Sequence, residues 1–204
     1  MARMSVRVRP ADPADVPALV ALAKSYDLGR GIFSGRPLQD TSVEHLTERL
    51  QEIVHSARAG DGRTMLVAVD ESSDEVVGLV VARPGNMGAI DLTPALHVTH
   101  LLVAPKHRRR GVGRALLSAV VCAAEETGCW HVIATVGSGS REANRYFARL
   151  GFAPLVLHRV TSTVGLRRSL GMSHTTDRTA VLRRARLVRA QRAGVPLRAA
   201  RRGA

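Results

Sequence analysis

The segment Leu101-Leu102-Val103-Ala104-Pro105-Lys106-His107-Arg108-Arg109-Arg110-Gly111-Val112-Gly113-Arg114 holds the densest chemistry in the sequence. An apolar run stops at Pro105 and a basic turn follows. Gly111 and Gly113 then open a stretch whose apolar residues recur at helical spacing, through Leu116, Ala119, Val120, Ala123 and Ala124, until Gly128 closes it. The first backbone N–H groups of a helix lack internal partners and sit at the positive end of its dipole, so such a junction attracts anions. Glycine at 111 and 113 lets a diphosphate approach the backbone where a Cβ would collide, and Arg108, Arg109, Arg110 and Arg114 add charge around it. A dinucleotide fingerprint needs a third glycine where Leu116 stands, and a P-loop needs Gly-Lys-Ser/Thr, which is absent. Taken alone, the junction also reads as a plain helix start with solvated arginines.

Other chemically able residues give less. Ser138 and Ser140 lack the Gly-x-Ser-x-Gly setting of a nucleophile and read as loop and helix cap. His97 and His100 stand three apart in a strand pattern, which puts their rings on opposite faces and argues against a metal pair. Cys122 and Cys129 have no partner pair, so no disulfide framework or zinc site is expected, and no metal is expected anywhere.

The elements that must position the basic junction follow from periodicity. Val6 to Arg9 alternates as a first strand before Pro10, and Asp12-Pro13 caps a helix through Val16, Leu19, Val20 and Leu22. Leu28 to Asp40 reads as a loop, and Thr41 with Glu44 forms a capping box for a helix over roughly Ser42 to Arg58. Thr64 to Val69 and Val76 to Ala82 form a hairpin, Pro84 to Pro94 a second loop, and Leu96 to Val103 a long strand. His131 to Val136 is a further strand, Glu142 to Leu150 a short helix ended by Gly151, and Ala153 to Val160 and Arg178 to Arg184 the last strands. The expected fold is α/β (α+β): a mixed central sheet of about seven strands flanked by about four helices, in the order βααβββαβαββ.

Charge divides the 204 residues unevenly. Of the net +13, Arg159 to Ala204 carries +11, with 12 arginines, no lysine and Asp177 as its one acid; the first 158 residues carry only +2. The basic segment has no Phe, Tyr or Trp to stack on bases, so phosphate attraction is open to it while base readout is unsupported. No apolar run approaches the ~20 residues of a membrane span, and Met1 to Pro10 lacks a signal-peptide core, so a cytoplasmic protein is expected.

The pattern Arg-x-x-Gly-x-Gly after a strand ending Val-x-Pro resembles motif A of the GCN5-related N-acetyltransferase (GNAT) family. Trp130 to Val136, then Asn144, Tyr146-Phe147 and Leu150-Gly151-Phe152, resembles its motif B, and Val8-Arg9-Pro10-Ala11-Asp12 resembles its opening. The resemblance covers roughly residues 5 to 160. It implies an acetyltransferase domain over 1–160; the basic extension over 161–204 lies outside it and would supply the last strand around 178–184. It also implies acetyl-CoA as the cofactor, with transfer of its acetyl group by direct attack of a primary amine in a ternary complex. The pantetheine arm would pair with Leu101, Leu102 and Val103. The diphosphate would sit on Arg108, Arg109, Arg110, Gly111, Val112, Gly113 and Arg114, and Asn144 would reach the cofactor. His97 stands where several members carry a carboxylate, as general base, with a water relay as the alternative. Tyr146 would protonate the leaving thiolate, although the family's tyrosine position holds Phe147 here, so donation by water stays open. The acceptor could be a small molecule, a protein lysine or an N-terminus, shaped by Leu28 to Asp40 and Pro84 to Pro94. A non-catalytic coenzyme A sensor and a nucleic-acid-associated protein working through its tail are the competing readings, and two copies could pair through the final strands or the tail.

Overall fold

The computed structural model describes residues 5–25, 42–60, 62–137, 139–159 and 161–172. The chain divides into two compact units, Met1–Leu155 and Val156–Ala204. In the first unit, β1 (Val6–Pro10) leads through a 3-10 turn (Pro13–Asp15) into α1 (Val16–Lys24), and α2 (Val43–Arg58) precedes β2 (Thr64–Asp70), β3 (Glu75–Asn86) and β4 (Pro94–Val103). A second 3-10 turn (Pro105–His107), α3 (Val112–Glu126), β5 (His131–Ala134) and α4 (Arg141–Arg149) complete it. In the second unit the described element is α5 (Thr163–Ser169), capped by Ser162, whose hydroxyl accepts from Gly165 N.

Five strands form one sheet in the order β1-β2-β3-β4-β5. The first four pair antiparallel, and β5 joins β4 parallel. Parallel pairing requires a crossover, and α3 supplies it. Each face of the sheet is closed by helices. Val67, Val69, Leu79 and Leu102 pack with Leu19, Leu22, Leu46, Leu50 and Val54 of α1 and α2, while Val80, Leu96 and Val98 pack with Val112, Leu116 and Val120 of α3.

The start of α1 is held by charge. Asp12 caps the first turn, Asp15 accepts from Asp12 N, and Arg9 donates to both Asp15 oxygens at 2.7 and 2.8 Å. Arg58 at the end of α2 reaches Asp12 Oδ2 at 2.6 Å, so both helices on this face are tied to the same corner.

The sequence expectation needs correction on strand count. Seven strands were expected and five are present among the described residues. Residues 153–159 form no strand: Leu155, Val156 and Leu157 have the composition of one but lie 54%, 69% and 67% exposed, with no ladder partner among the described residues. A β-branched apolar run becomes a strand only where another strand accepts its hydrogen bonds. The strand expected at Arg178 to Arg184 and the loop expected at Leu28 to Asp40 lie outside the described residues. The loop expected over Pro84 to Pro94 shrinks to 87–93, because β3 and β4 continue to Asn86 and Pro94; Met87 N donates to Thr93 O at 3.0 Å to close it. The second helix takes Ser42 as its cap, its hydroxyl accepting from His45 N.

Candidate active site

The chain leaves β4 under restraint. Ala104 N donates to Val77 O at 2.8 Å, the 3-10 turn follows, and Arg109 and Gly111 both adopt left-handed backbone, φ 59° and 95°. Left-handed residues set among ordinary ones turn neighbouring amides toward one side, the geometry of an anion nest. Gly111 is the N-cap of α3 and no side chain caps it; the helix's own ladder begins with Ala115 N donating to Gly111 O at 3.0 Å. The amides of Val112, Gly113 and Arg114 are therefore left without an intrahelical acceptor. Arg108 pairs with Glu142 of α4 at 3.8 Å, and Asp70 closes the β2–β3 turn beside the loop. The Asp70 carboxyl is held below its usual range by Ser72, whose N–H and hydroxyl both donate to it, and further by the charges of His107 and Arg110.

Gly78 sets how close α3 comes to the sheet. A Cβ there would lie 2.9 Å from Val112 Cγ1, 3.0 Å from Leu116 Cδ1 and 3.2 Å from the Leu102 carbonyl oxygen. The first turn of α3 therefore rests on bare backbone. An interior strand glycine signals such a close approach in the sequence itself.

α4 carries two predicted residues, Asn144 to the turn after β5 and Tyr146 to the phosphate loop. Asn144 Nδ2 donates to Ser140 O at 2.8 Å and Gly137 O at 3.4 Å, so it staples the turn after β5 and keeps its Oδ1 for another donor. Phe147 enters the core, edge-on to Phe152 at 5.0 Å and Tyr146 at 5.4 Å. Tyr146, one step round the helix, points at the phosphate loop: its Oη lies 3.0 Å from where a Gly113 Cβ would stand. That hydroxyl is buried with no hydrogen-bond partner among the described residues. Burial raises its pKa against the opposing charge of Arg114, so it remains a neutral donor.

The geometry of β4 overturns one expectation. His97 and His100 were expected on opposite faces of the strand. Instead the β3–β4 register runs Arg83↔His97 and Ala82↔Val98, then Val81↔His100, Val80↔Leu101 and Leu79↔Leu102, leaving Thr99 as an extra residue. Directly opposed residues share a face, so the register assigns the side chains. Leu96, Val98, Leu101 and Val103 face α3; His97, His100 and Leu102 face α1 and α2. A β-bulge at Thr99 has inverted the alternation halfway along the strand. The histidines therefore lie on one face, although no cluster of three or more His, Cys, Asp or Glu suited to a metal exists among the described residues.

β5 tracks β4 only from Ala95↔His131 to Val98↔Ala134, and the last bond between them is Thr135 N to Val98 O at 3.0 Å. The strands part there, so Thr99 to Val103 lies beyond the fork and His97 within the paired stretch. His97 Nε2 lies 2.9 Å from Asn86 O; since a carbonyl only accepts, Nε2 carries the hydrogen. The predicted residues thus fall into two groups. Leu101 to Val103, Arg108 to Arg114, Asn144 and Tyr146 lie along one region from the fork to the start of α3, and His97 stands apart inside the paired stretch of β4 and β5. An orphaned buried hydroxyl, a glycine whose Cβ would strike it and an uncapped helix start together fit a diphosphate-bearing ligand running along β4.

Comparison with known proteins points the same way. The family model described as "Acetyltransferase (GNAT) family" matches residues 33–152. The chain is 32% identical over 123 residues to a mycothiol acetyltransferase of Clavibacter sepedonicus; the match covers 59% of this chain and 36% of that protein, so the chain spans about a third of the length of that curated relative. Among solved structures, a transcriptional regulator from Bacillus halodurans superposes with a TM-score of 0.62 at 19% identity, over 78% of this chain and 99% of that one. An aminoglycoside N-acetyltransferase in complex with CoA superposes with a TM-score of 0.59 at 16% identity, over 78% and 97%. At those identities the likeness concerns the fold alone.

Proposed function

Because this chain belongs to the GNAT acetyltransferase family, we propose that it transfers an acetyl group from acetyl-CoA to a primary amine, by direct attack in a ternary complex. The observation that carries this reading is the uncapped start of α3 with the partnerless Tyr146 hydroxyl against Gly113. Acetyl-CoA supplies the activated thioester. The amides of Val112, Gly113 and Arg114, with Arg108, Arg109 and Arg110, hold its diphosphate, and the backbone of Leu101 to Val103 beyond the fork takes the pantetheine arm as a missing strand would be taken. Asn144 fixes the loop on the far side of the fork through Gly137 and Ser140.

Tyr146 donates its hydroxyl hydrogen to the coenzyme, and its position indicates which end. From Val98, where the fork opens, to Val103 is five residues, or about 16 Å at ~3.3 Å per residue. A hydroxyl lodged beside Val103 and Gly113 therefore serves the phosphate end in this geometry and leaves the thiolate to be protonated by solvent. All these residues fall within 1–160, with 161–204 an appended basic extension. The acceptor is a small molecule or a protein amine. Among the described residues no helix is long and apolar enough to cross a membrane.

Calorimetric titration with acetyl-CoA, followed by thiol release with a panel of amines, tests the proposal. Saturable binding, its loss in Gly113→Asp and Gly111→Glu, and amine-dependent thiol release are expected. An absence of heat with the wild type, or unchanged affinity in Gly113→Asp, removes the assignment. Binding without amine-dependent release would leave a coenzyme A-binding module.

A further inference from the structure

We propose that His100, turned by the Thr99 bulge onto the α1 and α2 side of β4 at the mouth of the fork, where it is exposed, is the base that receives the proton of the acceptor amine. The inference rests on the acetyl-transfer reading above and deepens it.

Three features carry it. The first is place. β5 leaves β4 after Val98, so Thr99 and His100 are the first β4 residues beyond the last interstrand bond, directly before the Leu101–Val103 strip. Without the extra residue the alternation of β4 would carry His100 onto the α3 side with Leu96 and Val98; with it, His100 pairs with Val81 on the α1 and α2 side. The second is access. Leu102, two residues on and on the same face, is buried in the α1 and α2 core, whereas His100 is exposed and can be reached by a solute.

The third is tautomer. The Thr99 hydroxyl has one hydrogen, which it donates to Val81 O at 3.2 Å; toward His100 Nδ1, 3.1 Å away, its oxygen can only accept. Nδ1 therefore carries the imidazole hydrogen and Nε2 keeps its lone pair for an incoming proton. Neighbouring side chains desolvate the ring and hold its pKa below the ordinary value, so the neutral, accepting form prevails at pH 7 even though the residue as a whole stays exposed. On the same face of the sheet, Arg83 lies on β3 and His97 three residues back on β4, and the described core residues of α1 and α2 beneath it are apolar. His97 is the weaker candidate, because it sits inside the paired stretch of β4 and β5.

The step balances as follows. The acceptor arrives as an ammonium, and one of its protons passes to His100 Nε2. The freed nitrogen lone pair forms the amide bond to the acetyl carbon as the carbon–sulfur bond breaks, the electron pair leaving on sulfur. The second nitrogen proton goes through solvent to the thiolate, and His100 returns its proton to water. An amine of pKa near 10 is almost wholly protonated at pH 7, so a positioned base contributes about 10²–10⁴-fold.

The test compares His100→Gln and His97→Gln with the wild type, with acetyl-CoA affinity measured by calorimetry and amine-dependent thiol release followed from pH 7 to 9.5. For His100→Gln the expected results are unchanged acetyl-CoA affinity and melting temperature, kcat about 10²-fold lower at pH 7, and a deficit that shrinks at least tenfold by pH 9.5, where the amine neutralises itself. His97→Gln is expected to stay within about threefold of the wild type, well short of the loss of a general base. Near wild-type turnover by His100→Gln, or a deficit that stays constant with pH, overturns the assignment to His100 while leaving acetyl transfer intact. A wild type that neither binds acetyl-CoA nor releases thiol overturns both. Should His100→Gln unfold, His100→Asn with the same pH series replaces it.

Discussion

The two faces of β4 do different work, and one residue divides them. On the α3 face, Leu96 and Val98 are almost fully buried and Leu101 and Val103 partly so, which makes a continuous apolar seat for a helix. On the other face stand two histidines and then Leu102, so polar side chains occupy the stretch around the fork and the core resumes after it. A strand with unbroken alternation would place Leu102 against α3 and Leu101 and Val103 against α1 and α2. The extra residue at Thr99 lets both halves of β4 bury their large side chains while exposing a histidine between them.

Removing that residue should have the largest effect. Deletion of Thr99 forces one half of β4 to present its buried set to the wrong face, which we expect to cost more than about 4 kcal/mol, comparable to losing a large core side chain. The thermal midpoint should then fall by about 10 °C or more. Thr99→Val keeps the extra residue and removes only the hydroxyl, so it should fold near normally while releasing the His100 tautomer and lowering turnover. A deletion variant that melts like the wild type would mean the bulge does not sort the side chains.

The helices on the two faces are secured differently, and the next two predictions separate them. On the α3 side the restraint is steric. Gly78→Ala places a Cβ 2.9 Å from Val112 and 3.2 Å from a carbonyl that cannot rotate away, so about 1–3 kcal/mol of overpacking is expected. Because the displaced turn also presents the α3 amides, acetyl-CoA affinity should fall with it in calorimetry. On the α1 side the restraint is ionic. Asp15 is nearly buried and Arg9 about one-third exposed; Asp15→Asn loses a charge-assisted pair and should cost about 2 kcal/mol, or about 4–8 °C. The sign with pH is fixed by the direction of the shift. Arg9 holds the Asp15 carboxyl below its ordinary value, against the opposing effect of burial and with help from Asp12 N–H. The contribution is therefore full above the unfolded pKa, about 3.9, and disappears as pH falls through it toward the lower folded value. The gap in melting temperature between wild type and Asp15→Asn should stay constant from pH 7 to about 5 and close below about 4. A gap that widens in acid would contradict the ion-pair account.

The contrast also explains what the sequence could disclose. The junction at Gly111 and Gly113 was legible because helix starts, left-handed backbone and phosphate approach all depend on local residue types. The first four strands and the helices α1 to α4 followed from periodicity for the same reason, whereas α5 was not anticipated. The bulge was not legible: Thr99 is an ordinary strand residue, and its status as the extra one depends on which β3 residue faces it, a fact of pairing. The His97 and His100 faces were misassigned through that single omission. Gly78 did carry a signal, an interior strand glycine, that could have marked the close approach of α3. The strand expected at Ala153 to Val160 failed for the complementary reason, since Leu155 to Leu157 look like a strand and have no ladder to join among the described residues.

The smallest expected effect tests the fit of the site itself. Among the described residues the Tyr146 hydroxyl is buried without a partner, and an unsatisfied buried donor costs about 1–3 kcal/mol. Tyr146→Phe removes that cost while keeping the ring against Phe147. The ligand-free variant should therefore melt at the wild-type temperature or up to about 4 °C above it. Acetyl-CoA should bind it more weakly, by about fivefold to tenfold, the value of one neutral hydrogen bond. Opposite signs on stability and affinity are what a hydroxyl kept for a ligand produces. A tyrosine kept for packing would lower both, and one that protonates the thiolate would leave affinity unchanged and lower kcat, so a single substitution read by melting, calorimetry and turnover distinguishes the three.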